Sequence, residues 1–536
     1  MSKSYREDWL SHLENCIPPA ARFNRTSLYT IALEGWRRGL CLKFTVSSEN
    51  NKTQQIKYSF SDGHKEHVFT ESNGDMNTVE ADHICKYKDL TYEYLEEAGV
   101  PVPKGKNFNS DHSIDEMLSF GKGMTYPIVV KPADGGGGHG VISNIQSGEQ
   151  LEEALHYVRN KLRYENIILQ EFIAGDEVRI YVLGDRVLSA VNRIPANIIG
   201  DGKNTITKLV ELKNEFRKGV THLHHRPIII DSSVHKLLKE SGYTVDTILK
   251  KDEQVFLREV SNVSTGGDPI EVSHELTSQQ KEIAIKATKA VPGLEHSGVD
   301  LMINRGSESG VVIEVNIRPG IGSHLFPIKG KAVDIPKALL DHYFPETKEI
   351  TINSQYYFDL QTIFDSLLGG YNNEVEVFSC PTDRYVCKKI TLITNSEPLK
   401  LYNRLEPLIF QYELNGFIEK RTDNKVDLVF SSNNPKALQE LEKVLEQSRN
   451  YLNIKDLKIE EYTKPIKVGF EIIDDLNEAG IIELEKREKI SSKNNDIAEK
   501  EIRRLRHRIK LTEDSFSWKL TSPLRRVLKG NDENRS

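Results

Sequence analysis

The run Ile128-Val129-Val130-Lys131-Pro132-Ala133-Asp134-Gly135-Gly136-Gly137-Gly138-His139-Gly140-Val141 narrows what this chain can fold into more than any other. An apolar strand ends in a lysine, a glycine-rich loop follows, and a second apolar run, Val141 to Ile145, resumes strand character. Glycines lack the Cβ that holds other backbones at a distance, so their N–H groups approach a polyanion closely, and a neighbouring lysine supplies a point charge. In the commoner phosphate loop the lysine follows the glycines and opens a helix. Here the lysine comes first and a strand follows. That order predicts a hairpin flap folded over a nucleotide.

The flanking segments fit a larger site. Tyr87-Lys88-Asp89-Leu90-Thr91 opens a helix that ends at Ala98-Gly99, ahead of Val100-Pro101-Val102-Pro103. Ile168 to Arg179 is a strand that breaks into a polar crossover. Val299-Asp300-Leu301-Met302-Ile303-Asn304 and Val311-Val312-Ile313-Glu314-Val315-Asn316 are apolar strands joined by a short polar turn. Strand side chains alternate with period two, so Glu314 and Asn316 share a face. A register that sets Asp300 opposite either one brings three oxygen ligands together, a set suited to Mg²⁺ held partly by protein and partly by phosphate.

The order Lys88, Lys131, glycine flap, Gln170-Glu171, Glu177, Asp300, Glu314-x-Asn316 resembles the ATP-grasp superfamily of carboxylate–amine ligases, from roughly residue 80 to 345. The runs Arg193 to Ile206, Leu257 to Gly267 and Glu314 to Gly320 place it near the ATP-grasp module of cyanophycin synthetase, with bifunctional glutathione synthetase next. The resemblance implies an α+β grasp of two lobes with ATP between them, ATP and Mg²⁺ as cofactors, and small-molecule carboxylate and amine substrates. It also implies roles. Lys88 and Lys131 would neutralise phosphates, and Gly135, Gly136, Gly137 and Gly138 would close the lid. Gln170, Glu171 and Ile173 would meet adenine, Glu177 the ribose, and Asp300, Glu314 and Asn316 the metal. Arg258, with Lys131, would stabilise the reacting centre, with Ser264 and Thr265 nearby, and Arg179 and Arg318 would hold a substrate carboxylate. His139 stands where similar loops carry arginine.

At 536 residues the chain is too long for one ordinary core. The expected divisions are a small α/β unit over 1–80, the grasp over 81–345, a ferredoxin-like domain over 346–470 and a charged helical tail over 476–536. The formal charge of −7 gives no reason to expect nucleic-acid binding. Five scattered cysteines suit free thiols in a reducing compartment. The polar N-terminus lacks the apolar core of a signal peptide, and no apolar run spans a bilayer, so a cytoplasmic protein is expected.

In the second half, Cys387 to Thr394, Pro398 to Leu414, Gly416 to Lys420, Lys425 to Ser431, Asn434 to Ser448 and Leu457 to Tyr462 read as βαββαβ, a ferredoxin-like order. The segment from Leu414 to Leu438 resembles acylphosphatase, whose arginine loop and asparagine correspond here to Arg404, without the glycine, and Lys420. A structural or docking role is therefore expected over hydrolysis. The His222, His224, His225 cluster lies in a polar segment and reads as no metal site. In the tail, basic residues from Arg503 to Lys510 precede Ser517 to Arg526, which resembles a tail on some glycosyltransferases of bacterial surface-polysaccharide pathways. Contact with a membrane face or a polysaccharide assembly, and self-association, are further expectations. The readings that follow are an amide ligase serving a surface polysaccharide, a peptide ligase, and an inactive ATP-binding scaffold.

Overall fold

The computed structural model describes residues 8–49, 53–134, 140–304, 306–381, 385–422 and 424–473. These residues pack as two compact units: the first runs to Ile352 and takes back Asn373–Ser379, and the second comprises Asn353–Asn372 and the residues from Cys380 on. The flap glycines, Gly135 to Gly138, and His139 lie outside the described residues, as does the tail from 476.

The first unit opens with the helix Thr26–Arg37, buried along its whole length beneath the antiparallel strands Cys41–Glu49, Thr53–Ser61 and Glu66–Thr70. Gly35 lets the helix approach this sheet, because a Cβ there would sit 2.3 Å from the Phe60 ring. The strand Glu374–Glu376 pairs with Cys41–Glu49, with Phe44 opposite Val375. The expected division at residue 345 thus differs from the packing. The open edge of the N-terminal sheet recovers a short later strand, tied further by the Trp36 indole donating to the Phe378 carbonyl at 2.6 Å.

A lid sheet follows, ordered Gly105–Phe108, Ile167–Glu171, Ile128–Pro132, Ile142–Ile145. Its apolar side buries Phe108, Ile128, Val130, Ile167 and Leu169 with Met117, Leu151 and Leu155 of the helices Ile114–Lys122 and Gly148–His156. Ser147 caps the second helix by accepting the Gln150 N–H, while the Gln150 side chain accepts from the Gln146 N–H at 2.8 Å.

The polar crossover after Glu171 leads into a second, antiparallel sheet ordered Asp268–Glu271, Arg186–Ile194, Asp176–Leu183, His296–Ile303, Val311–Asn316. Val178, Ile180, Val182, Val299, Leu301, Val312 and Val315 point into a core shared with Leu95, Ile283 and Ala287 of the neighbouring helices. Alternation sends Glu177, Arg179, Arg193, Asp300, Glu314 and Asn316 to the other face. Asp300 pairs with Glu314 and Leu301 with Val312, so Ile313 is skipped as a bulge. Between the strands ending at Ile194 and beginning at Asp268 sits an inserted subdomain with its own core, including Ile198, Ile206, Leu238 and Leu257.

The second unit is a βαββαβ arrangement: Val386–Ile393, Pro398–Gln411, Asn415–Thr422, Lys425–Ser432, Ala437–Gln447 and Asp456–Glu461. The sheet order Asp456–Glu461, Val386–Ile393, Lys425–Ser432, Asn415–Thr422 is that of a ferredoxin-like fold, extended by the parallel edge strand Phe470–Ile473. Arg404 lies within the helix Pro398–Gln411 and donates to the Ser448 hydroxyl at 2.7 Å. Lys420 pairs with Glu397 at 2.9 Å. Both side chains are thus engaged in packing between elements of this unit. Among the described residues, no helix is long and apolar enough to cross a membrane.

Candidate active site

Hydrogen-bond register builds the site. Asp300 lies opposite Glu314 on one side and opposite Arg179 on the other, so Arg179, Asp300 and Glu314 form a lateral row across three adjacent strands. The Arg179 guanidinium grips the Asp300 carboxylate bidentately, through Nε to Oδ1 and through Nη2 to Oδ2. Arg193 stands 3.7 Å from Asp300 and 2.7 Å from Glu177. Asp300 is buried. Burial pushes its carboxyl up, but Arg179 and Arg193 outweigh burial and hold it below the usual range. For Glu177 the balance reverses: burial and the Asp300 charge raise it despite Arg193 and Arg179. Gly298 leaves the room this packing needs, since a Cβ there would meet the Pro319 Cβ at 2.6 Å and the Arg179 Cδ at 3.0 Å.

The lid contributes from its strand Ile128–Pro132. Lys131 is buried at 5% exposure, and its ammonium falls to about 7, chiefly through burial, with Lys88 adding to the fall and Glu314 opposing it. Its Nζ donates to the Tyr92 hydroxyl at 2.7 Å, and that hydroxyl donates to the Ile313 carbonyl at 2.8 Å. The bulge at Ile313 leaves this carbonyl for a side-chain partner. Tyr92 sits one helical turn after Lys88, whose ammonium lies 3.1 Å from Glu314. One helix face thus ties the lid lysine and the Glu314 strand together. Tyr92 was not expected from the sequence, although its spacing from Lys88 carried the signal.

The remaining expected residues are distributed as follows. Gln170 is buried in the lid strand beside Tyr92, its Oε1 3.4 Å from the phenol. Glu171 accepts from the Lys104 N–H at 2.9 Å, and Ile173 is half-buried in the crossover. Asn316 lies beside Asp300, its amide 3.4 Å from Asp300 Oδ2. Arg258 lies in the inserted subdomain and forms a bidentate pair with Asp231 at 2.9 and 2.7 Å, which holds the Asp231 carboxyl at about 2. Among the described residues, its hydrogen bonds go to Asp231 and the Ile229 carbonyl and not to the Asp300 row. Ser264 and Thr265 form a turn closed by the Asn262 side chain and backbone. From beneath, the buried Arg217 binds the Val263 and Gly267 carbonyls and Asp268. Arg318 pairs with Asp82 at 3.0 Å. His224 donates through Nδ1 to the Lys218 carbonyl at 2.6 Å, and His225 packs against it edge-on.

These residues fit a polyanion and a hard cation. Among the described residues, no three His, Cys, Asp or Glu side chains come together as a metal-holding group. A cation here would draw on Asp300, Glu314 and the Asn316 amide, completed by phosphate oxygens. The depressed Lys131 is a buried cation short of negative charge, which a polyphosphate would supply.

Two lobes of mixed helix and sheet, with facing lysines and strand carboxylates, define an α+β grasp. Residues 85–322 match the family model described as an ATP-grasp domain, and the chain contains such a domain. It is 32% identical over 265 residues to the cyanophycin synthetase of Crocosphaera subtropica, covering 48% of this chain and 30% of that protein. It is 32% identical over 296 residues to the glutathione biosynthesis bifunctional protein of Enterococcus faecalis, covering 53% and 39%. The chain therefore spans well under half the length of these relatives. Among solved structures, a bifunctional glutathione synthetase from Pasteurella multocida is similar at 28% identity and a TM-score of 0.43, covering 56% of this chain and 41% of that one.

Proposed function

We propose that the chain is an ATP-dependent ligase that joins a carboxylate to an amine through an acyl phosphate, releasing ADP and phosphate. The observation that carries this reading is the Arg179–Asp300–Glu314 row with Lys88 and Lys131 directed at it from the helix and the lid. When bound, Mg·ATP supplies the phosphoryl group and the Lewis-acid charge that lets a carboxylate attack an anion. Lys131 and Lys88 would neutralise phosphate oxygens. Arg179 would release part of its hold on Asp300 as cation charge arrives, which frees guanidinium N–H groups for a substrate carboxylate. Glu177 would accept from the ribose, and Gln170, Glu171 and Ile173 would border the base. Arg258 would stabilise the tetrahedral centre only if the inserted subdomain brings it in, so Asp231 is its resting partner.

The finer substrate reading joins an amino acid to a surface-polysaccharide building block, and it rests on the tail sequence Ser517 to Arg526. The same tail would give contact with an anionic membrane face or a polysaccharide assembly. A peptide ligase is the second reading, supported by relatives named for cyanophycin synthesis and glutathione biosynthesis. The test is the nucleotide product: incubation with Mg·ATP and a panel of amino acids, short peptides and uronic acids should release ADP and phosphate. AMP with pyrophosphate would point to adenylation and overturn the mechanism.

A further inference from the structure

A buried charged cluster joins the inserted subdomain to the strand Asp268–Glu271, and it holds more positive charge than balance requires. Lys213 and Arg217 lie about one turn apart on the helix Ile206–Lys218, so both side chains leave from one face. They converge on the Asp268 carboxylate, at 2.5 Å and 3.2 Å. Lys213, Arg217 and Asp268 are all buried, at 7%, 1% and 6% exposure. Among the described residues, neither cation is ion-paired with any other carboxylate. Burial draws the Arg217 guanidinium down to about 10, with Asp268 opposing and Arg226 adding to the fall. Lys213 alone would neutralise Asp268, so charge balance does not account for the arginine.

What Arg217 adds is geometry. Its Nε donates to the Arg226 carbonyl at 2.9 Å, Nη1 to the Gly267 carbonyl at 3.0 Å and Nη2 to the Val263 carbonyl at 3.3 Å. A planar fork of fixed donors holds separate segments of chain at set angles, which a point ammonium does not. The turn it grips is already closed from within: Gly266 N–H donates to the Val263 carbonyl at 3.3 Å and Gly267 N–H to the Asn262 carbonyl at 3.0 Å. It is also tightly seated. Gly266 has φ +105°, and a Cβ there would lie 2.6 Å from Ile228, while one on Gly267 would lie 2.8 Å from the Ile194 carbonyl oxygen. Gly266 and Gly267 are buried, and Ser264 and Thr265 are exposed. From the turn the chain runs into the strand that flanks the site, with Asp268 opposite Ile194 and Pro269 opposite Arg193. Arg193 in turn pairs with Glu177 at 2.7 Å.

We infer that Arg217 is a positioning residue: it fixes the turn Asn262–Gly267, and with it the Ser264 and Thr265 hydroxyls, relative to the Arg193 and Glu177 end of the site. Lys213 holds the same carboxylate, but its hydrogen bonds go to Asn197 and Asp268 rather than to the turn. The two neighbours on one helix face therefore divide the work. Lys213 neutralises the buried anion, and Arg217 sets the turn. The inference rests on the ligase reading, because that reading gives the two hydroxyls to the substrate other than the nucleotide.

The test compares Arg217→Lys, Arg217→Gln and Lys213→Met in the full chain. Arg217→Lys keeps the charge and loses the fork. Arg217→Gln leaves a neutral Lys213–Asp268 pair, and it serves where the first variant does not fold. The substrate is whichever amino acid, short peptide or uronic acid drives the fastest ADP release from the unaltered protein. In the Arg217 variants its KM should rise at least about tenfold, the scale of a misplaced hydrogen-bonding contact. The Mg·ATP dissociation constant, measured by calorimetry, should stay within about twofold, and Lys213→Met should leave both quantities within that range. Hydrogen exchange over residues 261–268 should speed about tenfold in the Arg217 variants, with the strands Asp176–Leu183 and His296–Ile303 unchanged. An unchanged KM, an equal rise in Lys213→Met, a loss of Mg·ATP affinity in step with KM, or faster exchange throughout the unit would overturn the inference. Should no panel compound release ADP from the unaltered protein, the ligase reading falls, and the exchange result alone then decides whether Arg217 sets the turn.

Discussion

Lys131 of the lid and Tyr92 of the helix Lys88–Glu97 are 2.7 Å apart, and the Tyr92 hydroxyl reaches on to the Ile313 carbonyl beside Glu314. The phenol has one proton, so the directions are set: the ammonium donates to it, and it donates to the carbonyl. A single side chain thereby registers a lysine on one sheet against a carboxylate on another.

The Lys131 ammonium is depressed from 10.5 to about 7, so at pH 8 it is largely neutral before nucleotide arrives. A polyphosphate favours the charged form and raises the value again. Binding of Mg·ATP should then take up protons, and affinity should fall as pH rises above about 7 toward 10. Calorimetry at pH 8 in buffers of different ionisation heat measures the uptake. Lys131→Arg, always charged, should lose it, and a pH-independent affinity in the unaltered protein would contradict the assignment. Without ligand the sign is the same in another form. The folded state holds fewer protons than the unfolded state between these values, so this group's penalty on stability is relieved as pH rises through that window.

Tyr92→Phe keeps the ring and removes the bridge. The lysine loses an acceptor and the Ile313 carbonyl loses its donor, at a cost of ~1–3 kcal/mol for the unsatisfied groups. KM for Mg·ATP should rise about tenfold with a smaller change in kcat, because the lysine is misplaced before chemistry begins. An unchanged KM in a folded variant would show that Lys131 needs no such support.

Glu314→Gln removes the anion that faces Asp300 and pairs with Lys88. Turnover should drop by orders of magnitude with the fold intact, and raising Mg²⁺ should recover part of it, as expected when a hard oxygen ligand is weakened. Equal ADP release by variant and parent, with a matched substrate pair, would remove Glu314 from the site.

Gly298→Ala tests the packing beneath the row. The added methyl would have to displace Pro319 or the Arg179 stem, for an overpacking cost of ~1–3 kcal/mol. The urea midpoint should fall accordingly, with activity lost beyond what stability explains, since Arg179 moves with it. A neutral substitution would mean the sheet yields there freely.

Much of this site was legible in the chain because it follows local rules. The period of two in Val311 to Asn316 puts Glu314 and Asn316 on one face wherever the strand lies. The cap at Ser147 and the βαββαβ order of the second unit come from nearest-neighbour patterns of the same kind. Tertiary structure decided what depends on contacts far apart in sequence. The bulge at Ile313 set Asp300 against Glu314 and freed a carbonyl for Tyr92. Arg258, expected at the reacting centre, went to Asp231, because bidentate ion pairing is chosen by proximity in space. The strand Glu374–Glu376 returned to the first sheet because an open edge pairs with whatever chain reaches it, irrespective of position in sequence. Periodicity fixes which way a side chain points, and only packing fixes what it meets.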